Sequence, residues 1–414
     1  MTPAALAIAL ATPFPTTAQT VPDSAQVRSA TAAFWDAPDL EARDAIAAEI
    51  VDSGIEFETV FDLLREGRHY SAEVETGVVV RSRRNADGTE HLYALIVPDD
   101  YDPSRRYPVR FFLHGGVSRP AWKEGDRWWD RARRLAGDSL ILVLPTSWAE
   151  SKWWQSSQAE NLTGILDQLK TVYNADENRI SIWGVSDGGT GVYFLGFNAP
   201  TPWAALLPLI SSPAVLANPD NDADGNVFVA NLGNRPLFIV NAELDPLYPA
   251  GEELSYVELF RQAGAEVVFR AKSGYGHNID WWPEESEAME RFVEEHERDP
   301  LPDRLIWETD RTDRYNRLHW LSIDELTQPG RPGRVTVERT GQVVDVRTSD
   351  VRSYTLLISP DEFDLSRPVR LVTNGQVSSD DIIQPSVGTL LKWAARDNDR
   401  TMLFAAEIAV QIEN

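Results

Sequence analysis

The sequence predicts an α/β protein: a mostly parallel sheet with helices on both faces, a helical leader before it and an all-β sandwich-like domain after it. Three observations carry this reading. Between residues 93 and 297, short apolar strand-like runs alternate with amphipathic segments, the pattern of a parallel sheet covered on both faces. Before Gly77, apolar residues recur at helical steps, as on one face of a helix. Beyond Leu301 they alternate with period two, as in half-buried antiparallel strands. A chain of 414 residues has room for two or three domains with real cores.

Residues 1–20 read as an export signal. Ala4 to Ala11 is apolar, and Thr16-Thr17-Ala18 supplies the small-residue pattern of a cleavage site, although no Lys or Arg precedes the apolar run. The expectation is a secreted or periplasmic protein. No later apolar run approaches the roughly 18 residues that span a bilayer, so no membrane insertion is expected. Residues 21–76 form the leader, with Val27, Ala30, Phe34, Ile46, Ile50, Phe61 and Leu64 on apolar faces and Pro38 between helices. It is expected to pack on the main domain. Residues 77–298 form the α/β unit. Its first two β-rich runs meet at Asn85-Ala86-Asp87-Gly88, a hairpin signal. Five further strands follow, in YPVRFFL, LILVLP, RISIW, PLFIVNA and AEVVFRA, each ending in a polar or glycine-bearing loop. Such loops are where open α/β sheets place their sites. DPLPDR (Asp299–Arg304) is a proline-punctuated linker into the β domain of residues 299–414.

Composition narrows the function. The chain holds 64 Asp+Glu against 39 Lys+Arg, a net charge of −25, which repels nucleic acid and anionic membrane surfaces. It has no cysteine, so disulfides, thiolate metal sites and a cysteine nucleophile are all excluded.

Gly184-Val185-Ser186-Asp187-Gly188 follows a strand and precedes a helix. Glycines there let the backbone turn sharply, so that the Ser186 hydroxyl stands above the sheet as a nucleophile. The helix beginning at that turn aims its N–H groups and positive dipole end at the reacting centre. A serine nucleophile needs a base, and there are six histidines. His69 and His91 lie upstream, His296 on a charged helix, His319 beyond the linker, and His114 at the opening of an earlier loop. His277, in Gly274-Tyr275-Gly276-His277 after the last strand of the α/β unit, is placed to swing over the sheet edge to Ser186. Asp245 ends PLFIVNAELD before Pro246, and the order Ser–Asp–His suits this sheet; Glu243, two residues earlier, is its competitor. The oxyanion donors are assigned to the N–H of Asp187 and to the loop His114-Gly115-Gly116-Val117, with Gly116 or Val117 as donor. Six of 14 tryptophans lie between Trp122 and Trp154, and Trp281 and Trp282 follow His277. Trp153, Trp154 and Trp281 are accordingly assigned to an aromatic substrate pocket, with staples between long loops and core as the alternative. Asp220-Asn221-Asp222-Ala223-Asp224-Gly225 matches the start of a calcium loop, but its twelfth position is Asn231, not the bidentate Glu. It reads as a solvated acidic loop, and no metal site is assigned.

HGG after the FFL strand, YNADENRISIWGVSDGG, LDPLYP and GYGH together resemble the α/β-hydrolase superfamily, over about Tyr93 to His296. The sequence is most similar to its esterase and prolyl-oligopeptidase-like serine hydrolases, with NADENRI resembling feruloyl esterase and polyhydroxybutyrate depolymerase relatives. The resemblance implies Ser186, Asp245 and His277 as a catalytic triad. The helical leader and the C-terminal β domain depart from the pattern, and too few residues precede Gly77 for the propeller that gates oligopeptidases. The expected function is cleavage of a small-molecule or polymer-linked carboxylic ester through an acyl-enzyme, without a cofactor. A peptidase or amidase with the same triad, and a ligand-binding protein on a degenerate hydrolase fold, are the alternatives.

Overall fold

A computed structural model describes residues 24–137 and 139–412. The expected export signal, in residues 1–20, lies outside the described residues. The chain opens with α1 (Ser24–Asp36), α2 (Leu40–Asp52) and α3 (Phe57–Glu66). The hairpin β1 (Gly77–Arg84) and β2 (Glu90–Val97) follows, then β3 (Tyr107–Leu113) and β4 (Ile141–Pro145). Helices and strands then alternate: α4 (Ser156–Val172), β5 (Ala175–Val185), α5 (Asp187–Asn198), β6 (Ala205–Leu209), α6 (Ala214–Ala217) and β7 (Leu237–Ala242). α7 (Ala250–Gln262), β8 (Val267–Lys272) and α8 (Trp282–Glu295) complete the unit.

These eight strands form one sheet in the order β1-β2-β4-β3-β5-β6-β7-β8. β1–β2 and β2–β4 are antiparallel, and every later pairing is parallel. Side chains alternate between two apolar layers, as the pleat requires. Val109, Phe111, Ile180, Ile182, Leu237 and Ile239 join one layer with residues of α4, α5 and α7. Phe112, Trp183, Phe238 and Val240 join the other with Met289 and Phe292 of α8. The sequence reading lacked β6, a short run that contains Pro208, a residue that argues against a central strand. The strand nevertheless pairs on both sides, with Pro208 opposite Gly184.

Beyond α8 come β9 (Arg304–Thr309), β10 (Arg317–Leu318), β11 (Leu321–Leu326), β12 (Gly333–Thr340) and β13 (Val343–Ser349). β14 (Val351–Ile358), β15 (Pro368–Thr373), β16 (Gln376–Ile382), α9 (Val387–Asp397) and β17 (Ala406–Gln411) end the described chain. Two sheets, β10-β11-β14-β17 and β16-β15-β13-β12-β9, enclose a core that includes Trp307, Trp320, Tyr354 and Phe404. The part is not all-β, because α9 interrupts it. Ser386 caps that helix by accepting from the Thr389 N–H at 3.2 Å, and Asn398 ends it in the left-handed conformation.

The leader also packs elsewhere than expected. Phe34, Trp35, Val60, Phe61 and Leu64 share a core with Leu390, Leu391, Ala394 and Leu403, so its main apolar partner is α9 and not the eight-stranded sheet. The stripe of α9 facing away from the β sheets needs cover, and the leader supplies it. Buried ion pairs tie this assembly to the α/β unit: Arg298 to Asp399 at 2.7 Å and Arg400 to Glu177 at 2.8 Å. Lys170 of α4 adds a bond to the Asn398 carbonyl at 2.9 Å.

Candidate active site

β5 delivers Ser186 to the carboxyl edge of the sheet, and α5 starts at the next residue. Ser186 has φ 55° and ψ −122°, a conformation that costs a side-chain-bearing residue about 1–3 kcal/mol. The turn holds because its neighbours are glycines in full contact. A Cβ on Gly184 would lie 2.2 Å from the Gly188 carbonyl oxygen, and one on Gly188 would lie 2.1 Å from that of Leu113. Gly115 lies against the serine itself, where an added Cβ would stand 3.6 Å from Ser186 Oγ.

His277, after β8, brings Nε2 to 2.9 Å from Ser186 Oγ, and its Nδ1 lies 2.8 Å from Asp245 Oδ2. Asp245 follows β7 and is 2% exposed. Its other oxygen accepts the N–H groups of Leu247 at 2.8 Å and Tyr248 at 3.1 Å. A carboxylate so held can only accept, so it fixes the proton on Nδ1 and leaves the Nε2 lone pair facing the Ser186 hydroxyl. The competitor Glu243 points to solvent. This order of strands, with the serine at the sharp turn after the central one, decides the fold. The chain has the α/β-hydrolase fold.

The loop after β3 bears on the choice between Gly116 and Val117. The Val117 N–H donates to Asp187 Oδ2 at 2.8 Å, so that N–H is engaged, while Gly116 holds φ 71°. His114 is not a second base. Its Nε2 accepts the Ser147 N–H at 3.1 Å and its Nδ1 faces the Gly115 carbonyl at 2.9 Å. Burial lowers its pKa to about 4, which keeps the ring neutral.

A cavity of about 720 Å³ opens beside Gly115 and Val185. Its tryptophans are Trp122, Trp128 and Trp282, not the three assigned from sequence. Trp153, Trp154 and Trp281 are buried in the apolar layers. The Trp153 indole donates to the His114 carbonyl and that of Trp154 to the Asn221 carbonyl, each at 2.8 Å. These two bonds staple the β3 loop and the 220–225 loop to the core. The latter loop is anchored as well as acidic: Asp224 pairs with Arg311 and Arg314. Among the described residues, no group of three or more His, Asp or Glu could hold a metal ion.

Sequence reading passed over Glu253, which reads as an ordinary acidic residue in the first turn of α7. It is 3% exposed, and one carboxyl oxygen has no partner among the described residues. Burial raises its pKa to about 7, a hydrogen bond from Ser212 opposes the rise, and Glu252 and Asp245 add to it. The folded protein therefore holds a proton here that the unfolded chain has lost above pH 4.5, so stability falls as pH rises from about 4.5 to 7. Glu253→Gln is expected to remove that slope and to stabilise the protein at pH 8 by up to about 3 kcal/mol. Urea midpoints from pH 5 to 8 measure this, and parallel curves for variant and wild type would contradict it.

No family model matches the chain. It is 24% identical over 139 residues to dipeptidyl-peptidase 5 of Porphyromonas gingivalis, covering 31% of this chain and 20% of that protein. It is 26% identical over 150 residues to a bifunctional acetylxylan esterase/xylanase of Neocallimastix patriciarum, covering 36% and 19%. The chain thus spans about a fifth of the length of the curated relatives it matches. Among solved structures, a thermostable esterase is 25% identical with a TM-score of 0.44, over 53% of this chain and 63% of that one. Among the described residues, no helix is long and apolar enough to cross a membrane.

Proposed function

We propose that the protein is a serine hydrolase that cleaves carboxylic esters by acyl transfer. The observation that carries this is the unbroken line Ser186–His277–Asp245, both links at hydrogen-bond length. Ser186 Oγ attacks the ester carbonyl while His277 Nε2 takes its proton. Negative charge then develops on the carbonyl oxygen, where the Asp187 and Gly116 N–H groups receive it. The His277 imidazolium, steadied by Asp245, returns the proton to the leaving alcohol. Water enters by the same route in reverse, and Ser186 leaves the acyl group. Every proton moves between these side chains and substrate, so the cycle needs no cofactor. The cavity beside Gly115 would take one arm of the ester, a small molecule or the linked group of a polymer. Export, read from residues 4–18, belongs to the same proposal.

Fluorophosphonate labelling of wild type beside Ser186→Ala tests the mechanism. The expected result is labelling in wild type alone, together with p-nitrophenyl ester turnover that falls by about 10⁴-fold or more in the variant. Folded wild type that takes no label overturns the reading. The peptidase alternative has one support, the name of the Porphyromonas relative. Turnover of dipeptidyl anilides faster than of p-nitrophenyl esters would select it.

A further inference from the structure

Two hydrogen-bond donors on the cavity beside Gly115 have no protein acceptor among the described residues. Arg119 stacks on Trp122 with its guanidinium carbon 3.6 Å from the ring centroid, and both line the cavity. Among the described residues, no carboxylate lies within ion-pair distance of Arg119. The neighbouring Arg127 is paired with Asp130 at 2.9 Å. The Trp122 indole N–H is buried and has no partner among the described residues. A buried donor normally finds an acceptor, so the Trp122 N–H is unusual, and it shares its wall with the half-buried Arg119.

Two hydrogen bonds hold the backbone at Arg119. The Arg119 N–H donates to the Val117 carbonyl at 2.8 Å, and its own carbonyl accepts the Ala149 N–H at 2.9 Å. Stacking occupies a face of the guanidinium and leaves its edge donors in the fork that matches a carboxylate. Nothing else in the lining competes for that role. Both ring nitrogens of His114 are engaged, and Asp126 accepts the Lys123 N–H at 2.8 Å. Among the described residues Asp126 is the one carboxylate in the lining, and the whole chain has a net charge of −25. A cation without an ion-pair partner among the described residues, in such a field, marks a local preference opposite to the global one.

We infer that Arg119, with the Trp122 indole N–H, is a specificity site for a carboxylate on the ester substrate, so that the preferred substrates are half-esters or esters of carboxylated alcohols. This rests on the hydrolase reading, deepening it by naming the substrate class.

Matched ester pairs test it. Mono-p-nitrophenyl glutarate against p-nitrophenyl valerate places a carboxylate or a methyl at the end of the acyl arm. 4-Carboxyphenyl butyrate against 4-methylphenyl butyrate does the same on the alcohol arm. The quantity read is the ratio of kcat/KM within each pair, in which a general loss of activity cancels. Wild type is expected to favour the carboxylate in one pair. Arg119→Met should then shift that ratio by about ten- to hundredfold towards the neutral ester, and Trp122→Phe by several-fold. Ratios that Arg119→Met leaves unchanged in both pairs overturn the proposal. Calorimetric titration with glutarate separates this from failure of the hydrolase reading, because it needs no turnover. Glutarate binding that weakens about tenfold or more in Arg119→Met supports the site even in a protein that takes no fluorophosphonate. Equal binding to both proteins, or none to either, overturns it.

Discussion

Asp245→Asn is expected to lower kcat/KM on a short p-nitrophenyl ester by about 10⁴-fold while the protein melts close to wild type. The reasoning turns on which atoms surround the carboxylate. Oδ1 accepts from the N–H groups of Leu247 and Tyr248, so the asparagine must put its carbonyl oxygen there. Its NH₂ group then faces His277 Nδ1 in place of Oδ2. A donor meeting Nδ1 forces the histidine proton to Nε2, the atom that lies 2.9 Å from Ser186 Oγ. The base is present, in position and of the wrong tautomer. The fold should hardly notice, because the two backbone bonds survive and the side-chain volume is the same. Asp245→Ala tests the cause, since it removes the carboxylate without installing a donor. If the tautomer is what matters, fluorophosphonate labelling should be slowed at least as much in the asparagine variant as in the alanine variant. An Asp245→Asn protein that keeps more than a tenth of wild-type turnover would remove Asp245 from the mechanism.

Much of this site could be read from sequence because its signals are local. The strand before Ser186, the glycines around it, Pro246 after Asp245 and the glycines before His277 all lie within a few residues of the groups they position. The tryptophans could not be assigned that way. Trp281 and Trp282 are adjacent and their rings lie 6.1 Å apart, yet Trp281 is buried while Trp282 lines the cavity. Which neighbour faces a cavity is decided by what packs above it, and sequence proximity to the nucleophile says nothing of that. Glu253 was hidden for a related reason. An acid in the first turn of a helix is the expected residue there, and only the fold shows that this one is covered. The partner of the leader was equally non-local, since α9 lies more than 300 positions beyond α2. Arg119 gave no signal and Trp122 only that of one tryptophan in a cluster, because the absence of an acceptor is a property of the folded wall.

Gly188→Ala is expected to cost stability beyond about 3 kcal/mol, at the top of the range for overpacking, and to yield little soluble protein at 37 °C. The added methyl would meet three backbone atoms: the Leu113 carbonyl oxygen at 2.1 Å, its carbon at 2.6 Å and the His114 carbonyl oxygen at 2.9 Å. None of these is the flexible end of a side chain. They belong to β3 and to the loop that presents Gly116, so relief of the clash must push α5 away from the central strand or displace that loop. Gly116→Ala supplies the contrast. Its Cβ would enter open space, so the variant bears only the left-handed backbone cost of about 1 kcal/mol, although its φ of 71° and its place by the nucleophile leave activity exposed to the change. Thermal melts of the two variants measure the difference. A Gly188→Ala protein as stable as Gly116→Ala would mean that helix and strand can separate freely at this turn. The nucleophile would then owe its backbone geometry to something other than close packing, because it is that contact which holds Ser186 at a positive φ.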